Sequence, residues 1–281
     1  PSEPLLPPLL SGPLRYGPSW LPDGLVELER QPSARTWRPA LAGPGSVSSS
    51  LSVWRWTARD AGDARASALE GQHRCWTFEG GEPVEVRGRP GVYDGRTAGD
   101  GQGVCWRMDS RTLVAIRQSD LGLSRADLMR IAESVKPDPG WTSFPLAVPV
   151  NVGVPNADRF PIVYGSSPTK WTARVSWTSS SKGNPQDVEI SAGPGLAVPS
   201  GGQRLTVKGR PARFVLDTDE NSQTAYLVVD LGGNRRLLIK AYTPSMYGDH
   251  PPSREDLVNI AGQCRLNPSP LPWMGARGLT R

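Results

Sequence analysis

The chain has 281 residues, 37% hydrophobic and 21% charged, with 31 Gly and 29 Pro. This composition excludes a collagen-like or wholly disordered chain and fits a turn-rich protein of about two ordinary domains. The net charge of +5 is spread along the chain and Arg235-Arg236 is its one adjacent basic pair, so the concentrated basic face of a nucleic-acid binder is not predicted.

Residues 1–19 carry six prolines and no periodic pattern, which predicts a semi-extended linker. Such stalks often separate an ectodomain from a membrane anchor, so the expectation is an extracytoplasmic location. No run approaches the roughly 18 apolar residues of a membrane-spanning helix. Further on, Trp54 and Trp56 stand two apart in a strand-like run and therefore share a face. Ten tryptophans against four phenylalanines leave two readings for this pair, core filler or a platform for a ligand. Cys75 and Cys105, each followed by Trp, also leave two readings. Paired, they would close a loop of about 30 residues, worth roughly 3–4 kcal/mol. Unpaired, they are buried thiols of a reducing compartment.

Val84 and Val86 alternate with Glu85 and Arg87, and residues 104–108 and 112–117 read as two strands around an Asp109-Ser110 turn. A helix follows. Ser124 is its N-cap with Asp127 three residues later, and Leu128, Ile131, Ala132 and Val135 form one apolar face. In the second half Trp171 and Trp177 fall on one face of a regular strand, and Leu205 and Val207 repeat the alternation. Residues 224–230 and 236–241 flank Gly232-Gly233-Asn234, a hairpin signal. Ser253, Asp256, Leu257, Ile260, Ala261 and Cys264 then repeat the first helix position by position, which places Cys264 on its buried face. Pro137 and Pro268 end the two helices.

Val86-Arg87-Gly88-Arg89-Pro90 and Val207-Lys208-Gly209-Arg210-Pro211, each followed by strands and this helix, mark an internal repeat of about 120 residues. The predicted class is α+β: two tandem repeats, each an antiparallel sheet packed by one C-terminal amphipathic helix. The expected segments are the linker 1–19, repeats 20–139 and 140–270, and a tail 271–281.

The opening Trp20-Leu21-Pro22-Asp23-Gly24-Leu25, the Val-x-Val-x-Gly strand and the helix Asp127-Leu128-Met129-Arg130-Ile131-Ala132-Glu133-Ser134-Val135 resemble a bacterial extracytoplasmic domain. They are similar to the C-terminal domain of the envelope-stress regulators RseB and MucB and to related uncharacterised lipoprotein-associated domains. The resemblance implies a small antiparallel sheet with a helix, a regulatory or binding role, and a membrane or regulatory protein as partner.

Catalytic and metal chemistry finds little purchase. His73 and His250 read as exposed loop residues, no Cys-x-x-Cys, Gly-x-Ser-x-Gly or His-Glu-x-x-His occurs, and Gly99–Gly103 lacks a following Lys-Ser/Thr. No enzyme activity, cofactor or metal is expected. The sequence predicts a non-enzymatic binding or regulatory ectodomain of a membrane-anchored bacterial protein that contacts a protein partner. The alternative is a cell-wall glycan or lipid-binding module using Trp54 and Trp56.

Overall fold

Alternating apolar and polar runs bounded by tight turns become strands throughout the computed structural model. It describes residues 12–31, 34–40, 50–57, 81–96, 102–109, 112–142, 144–149, 151–154, 158–178, 187–194, 196–219, 222–244, 253–267 and 271–276. The chain divides into two units, one of residues 13–141 with 272–281, the other of 142–271 with 1–12.

In the first unit β1 (Gly12–Gly17) lies in the proline-rich lead that was expected to be linker throughout. The sheet strands are β2 (Leu25–Gln31), β3 (Ala34–Pro39), β4 (Ser50–Thr57), β5 (Glu82–Val86), β6 (Arg89–Asp94), β7 (Gly103–Asp109) and β8 (Thr112–Ser119). Helix α1 (Arg125–Ser134) and β9 (Lys136–Thr142) follow, and β9 pairs with β1. The antiparallel order is β2-β3-β4-β8-β7-β6-β5. One face of this sheet packs Trp37, Val104, Trp106 and Ile116 against Leu128, Ile131 and Ala132 of α1.

The second unit begins with β10 (Leu146–Ala147). Its sheet strands are β11 (Asp158–Ser167), β12 (Lys170–Thr178), β13 (Asp187–Pro194), β14 (Gln203–Val207), β15 (Arg210–Thr218), β16 (Ser222–Gly232) and β17 (Arg235–Pro244). Helix α2 (Arg254–Gln263) and β18 (Arg265–Leu266) end it, and β18 pairs with β10. The order β11-β12-β13-β17-β16-β15-β14 is that of the first unit, strand for strand. Matching registers make this comparison residue-specific. Val84–Gly91–Trp106–Val114 run side by side across four strands of the first sheet. Leu205–Ala212–Val229–Leu237 do so in the second.

The α+β expectation is corrected: the described residues are mainly β, 62% strand against 11% helix. The helix signals were strong in the sequence because capping boxes and a 3.6-residue period are local. Strands β2, β3, β11 and β13 carry weaker local marks, and pairing completes them, in hairpins for β2 with β3 and β11 with β12 and with the distant β17 for β13. Both helices do begin with the expected capping boxes at Ser124 and Ser253. Each ends one residue earlier than predicted, so Val135 and Cys264 are extended C-caps.

The first unit also buries a charge network that the sequence did not announce. A register shift between Glu27 and Glu29 inserts a bulge in β2, which lets Glu27 and Arg30 meet despite their odd spacing. Arg30 and Arg35 face each other across β2 and β3, and both bond the Glu27 carboxylate. Arg35 also donates to Asp138 of β9 at 3.0 Å. The tail joins the same unit: Gly275 N–H donates to the Glu27 carbonyl, and Trp273 lies under the Arg30 guanidinium, 4.4 Å from ring centre to Cζ. Two positive and two negative groups thus share one buried cluster, which is a structural tie rather than a site.

A candidate binding pocket in the second unit

The equivalent rows of the two sheets differ where they pass beneath the helix. In the first unit Trp106 is fully buried there, and its neighbour Gly91 is small for that reason: a Cβ at Gly91 would lie 2.8 Å from the Cys105 carbonyl and 3.0 Å from the Trp106 Cβ. In the second unit the corresponding pair is Val229 and Ala212. Both are still covered, Val229 2% and Ala212 8% exposed, although Val229 is much smaller than an indole. On the helix, Glu133 is matched by Gly262 and Val135 by Cys264, two further reductions in size at the same corner.

The result is a pocket of about 420 Å³. Its apolar lining residues are Leu146, Val207, Val229, Leu231 and Leu237, of which all but Leu231 are buried. Ala261, Gly262 and Cys264 of the helix end form a wall. Four basic residues complete it, Lys208, Arg210, Arg235 and Arg265, and none of its described lining residues is acidic.

Local sequence explains where these side chains stand. Lys208 and Gly209 adopt φ of 47° and 77°, the left-handed pair of a tight hairpin, and so reverse the chain between Val207 and Arg210. Asn234 and Gly233 do the same between β16 and β17, with φ of 60° and 59°. Arg210 donates to the Leu231 carbonyl at 3.2 Å and Arg235 to the Gly232 carbonyl at 3.0 Å, which orients both guanidinium groups while leaving further N–H donors. Leaving α2 at Cys264, the chain turns extended and β18 pairs Leu266 with Leu146 and Arg265 with Ala147, closing one side. The Cys264 thiol donates to the Ile260 carbonyl at 3.3 Å, and burial pushes its pKa up to about 12. It is a neutral wall group, not a nucleophile.

The sequence-predicted residues fall elsewhere. Trp54 and Trp56 are in β4, where Trp54 pairs Ala34 and Ala115 and Trp56 pairs Leu113; their side chains lie outside the described residues. Cys105 is disulfide-bonded, and Cys75 lies outside the described residues, as do His73 and His250. Trp37, Trp106, Trp171, Trp177 and Trp273 are all buried. The pocket residues were missed. Extending the alignment of the Val-x-Gly-Arg-Pro turns sets Trp106 opposite Leu227, and only strand register brings it opposite Val229, so the sequence carried no direct signal.

No helix among the described residues is long and apolar enough to cross a membrane. No protein-family model, curated protein or solved structure matches the chain.

Proposed function

We propose that the chain is a non-enzymatic binding module acting outside the cytoplasm, the ectodomain of a membrane-anchored protein that contacts a protein partner. In this reading it consists of two copies of one domain, and the second copy carries the binding site. The observation that supports it best is the pocket of the second unit, edged by Val229 at the register position where the first unit buries Trp106. The protonated Cys264 favours binding over covalent chemistry. The disulfide at Cys105 favours an oxidising compartment.

Val229→Trp combined with Ala212→Gly tests the reading, since the two together restore in the second unit the pair, Trp106 beside Gly91, that the first unit already accommodates. Native protein and variant would be cross-linked in intact cells and the captured material identified by mass spectrometry. The expected result is one membrane or regulatory protein captured by the native chain and little by the variant, with circular dichroism unchanged. Equal capture by a folded variant would place the contact elsewhere and overturn the assignment.

A further inference from the structure

We infer that the outer edge of β14 takes an extended acidic segment of a protein partner as an added antiparallel strand. This contact lies outside the pocket and does not rest on it. β14 is the last strand of its sheet, as β5 is in the first unit. The turns at Arg87-Gly88 and Lys208-Gly209 set both edges in one register, with Glu85 opposite Pro90 and Thr206 opposite Pro211. A two-residue turn closes on a hydrogen-bonded pair, here Val207 and Arg210, and the pairing alternates from there. Pro211, without an N–H, fits that phase. Thr206 and Arg204 therefore direct their N–H and C=O groups away from β15, and among the described residues no backbone group meets them. In the first unit the same positions hold Glu85 and Pro83. Proline has no N–H to donate, which blocks a strand from adding to β5. Arg204 leaves the equivalent edge of β14 open.

Charge selects the occupant. Arg204 stands directly opposite Arg213. By the same alternation this is the closer, non-hydrogen-bonded kind of pair, with about 4.5 Å between Cα atoms. Like charges so placed repel, and among the described residues neither arginine forms an ion pair. Neither has a basic counterpart in the first unit, where Pro83 faces Val92 at these positions. Arg204 is exposed and Arg213 half-buried. A strand added beside β14 sets one residue opposite Arg204, on the face that carries both guanidinium groups. Asp or Glu there relieves the repulsion. The residue next to it falls beside the half-buried Leu205 on the other face and suits an apolar side chain. A second copy of the chain docked through β14 would add another Arg204 and Arg213 to the same face, so charge disfavours it.

The experiment titrates the full chain by isothermal calorimetry with the end-blocked peptide Ser-Val-Glu-Val-Glu-Val-Ser. Its analogues carry Lys for Glu, or N-methyl groups on both glutamates, whose N–H groups would meet β14. The Glu peptide is expected to bind about fivefold more tightly than the Lys peptide, and the N-methylated peptide not at all. Arg204→Pro, which copies the first unit, should weaken the Glu peptide about tenfold or more in protein with a native circular dichroism spectrum. Arg204→Glu with Arg213→Glu should reverse the preference toward the Lys peptide. Val229→Trp with Ala212→Gly should leave peptide binding unchanged, which separates this edge from the pocket. Failure of the Glu peptide to bind, equal affinity for both charges, or binding of the N-methylated peptide would overturn the inference. Undiminished binding in folded Arg204→Pro, or lost binding in the folded pocket variant, would do the same. So would a dimer in sedimentation that Arg204→Pro dissociates, since a second copy would then hold the edge. The peptide comparisons carry the test alone should Arg204→Pro not fold.

Discussion

Glu27 is wholly buried with a guanidinium on either side, and its environment shows how one residue can hold several segments together. Arg30 and Arg35 are directly opposite each other in the sheet, an arrangement that like charges disfavour. The carboxylate between them turns that repulsion into two forked ion pairs, and Asp138 balances the second arginine. Removing the carboxylate charge leaves two buried cations without their shared partner. Glu27→Gln is therefore expected to destabilise the first unit by about 3–5 kcal/mol, measured by urea unfolding. A loss under about 1 kcal/mol would mean that water or Asp138 compensates.

At the scale of elements, the helices owe their starts to short-range chemistry. Ser253 Oγ accepts from the Asp256 N–H at 3.2 Å, and the Asp256 carboxylate accepts from the Ser253 N–H at 3.0 Å; Ser124 and Asp127 repeat this in α1. Ser253→Ala should cost about 1 kcal/mol by chemical denaturation. Because α2 walls the pocket only at its far end, partner capture should be unchanged in the folded variant, and a large loss would count against that separation. Strands gain less from their own residues. β12 buries Trp171, Ala173, Val175 and Trp177 in strict alternation, yet that pattern becomes a sheet face only through its pairing with β13 and β11.

Across the whole molecule, stability should be bounded at both ends of the pH scale by two groups with opposite shifts. Arg96 hydrogen-bonds the Asp94 carboxylate and holds its pKa below the usual carboxylate range. Its contribution is complete above the unfolded value, near pH 4, and is lost as pH falls through the lower folded value. Arg96 is largely exposed, so the effect is screened. The Cys264 thiol, raised to about 12 by burial, works in the other direction. Stability is retained below its unfolded value, about 8.5, and declines as pH rises from there toward 12. Asp94→Asn should flatten the acid limb of a plot of unfolding free energy against pH, and Cys264→Ala the alkaline limb. Unchanged limbs would show that other groups govern them.

The sequence by itself determined what is local: both capping boxes, the apolar helix faces and the tight turn at Gly232-Gly233-Asn234. Each of these depends on residues within about one helical turn or one hairpin, so the chain carries the whole instruction in one place. Tertiary structure decided how many strands each sheet holds, the class as mainly β, and the bulge that brings Glu27 to Arg30 and Arg35. It also decided the pocket. Leu146, Val207, Val229 and Arg265 are far apart in sequence and meet only through strand register. A cavity is a volume that side chains fail to fill, and that failure exists only after the elements pack.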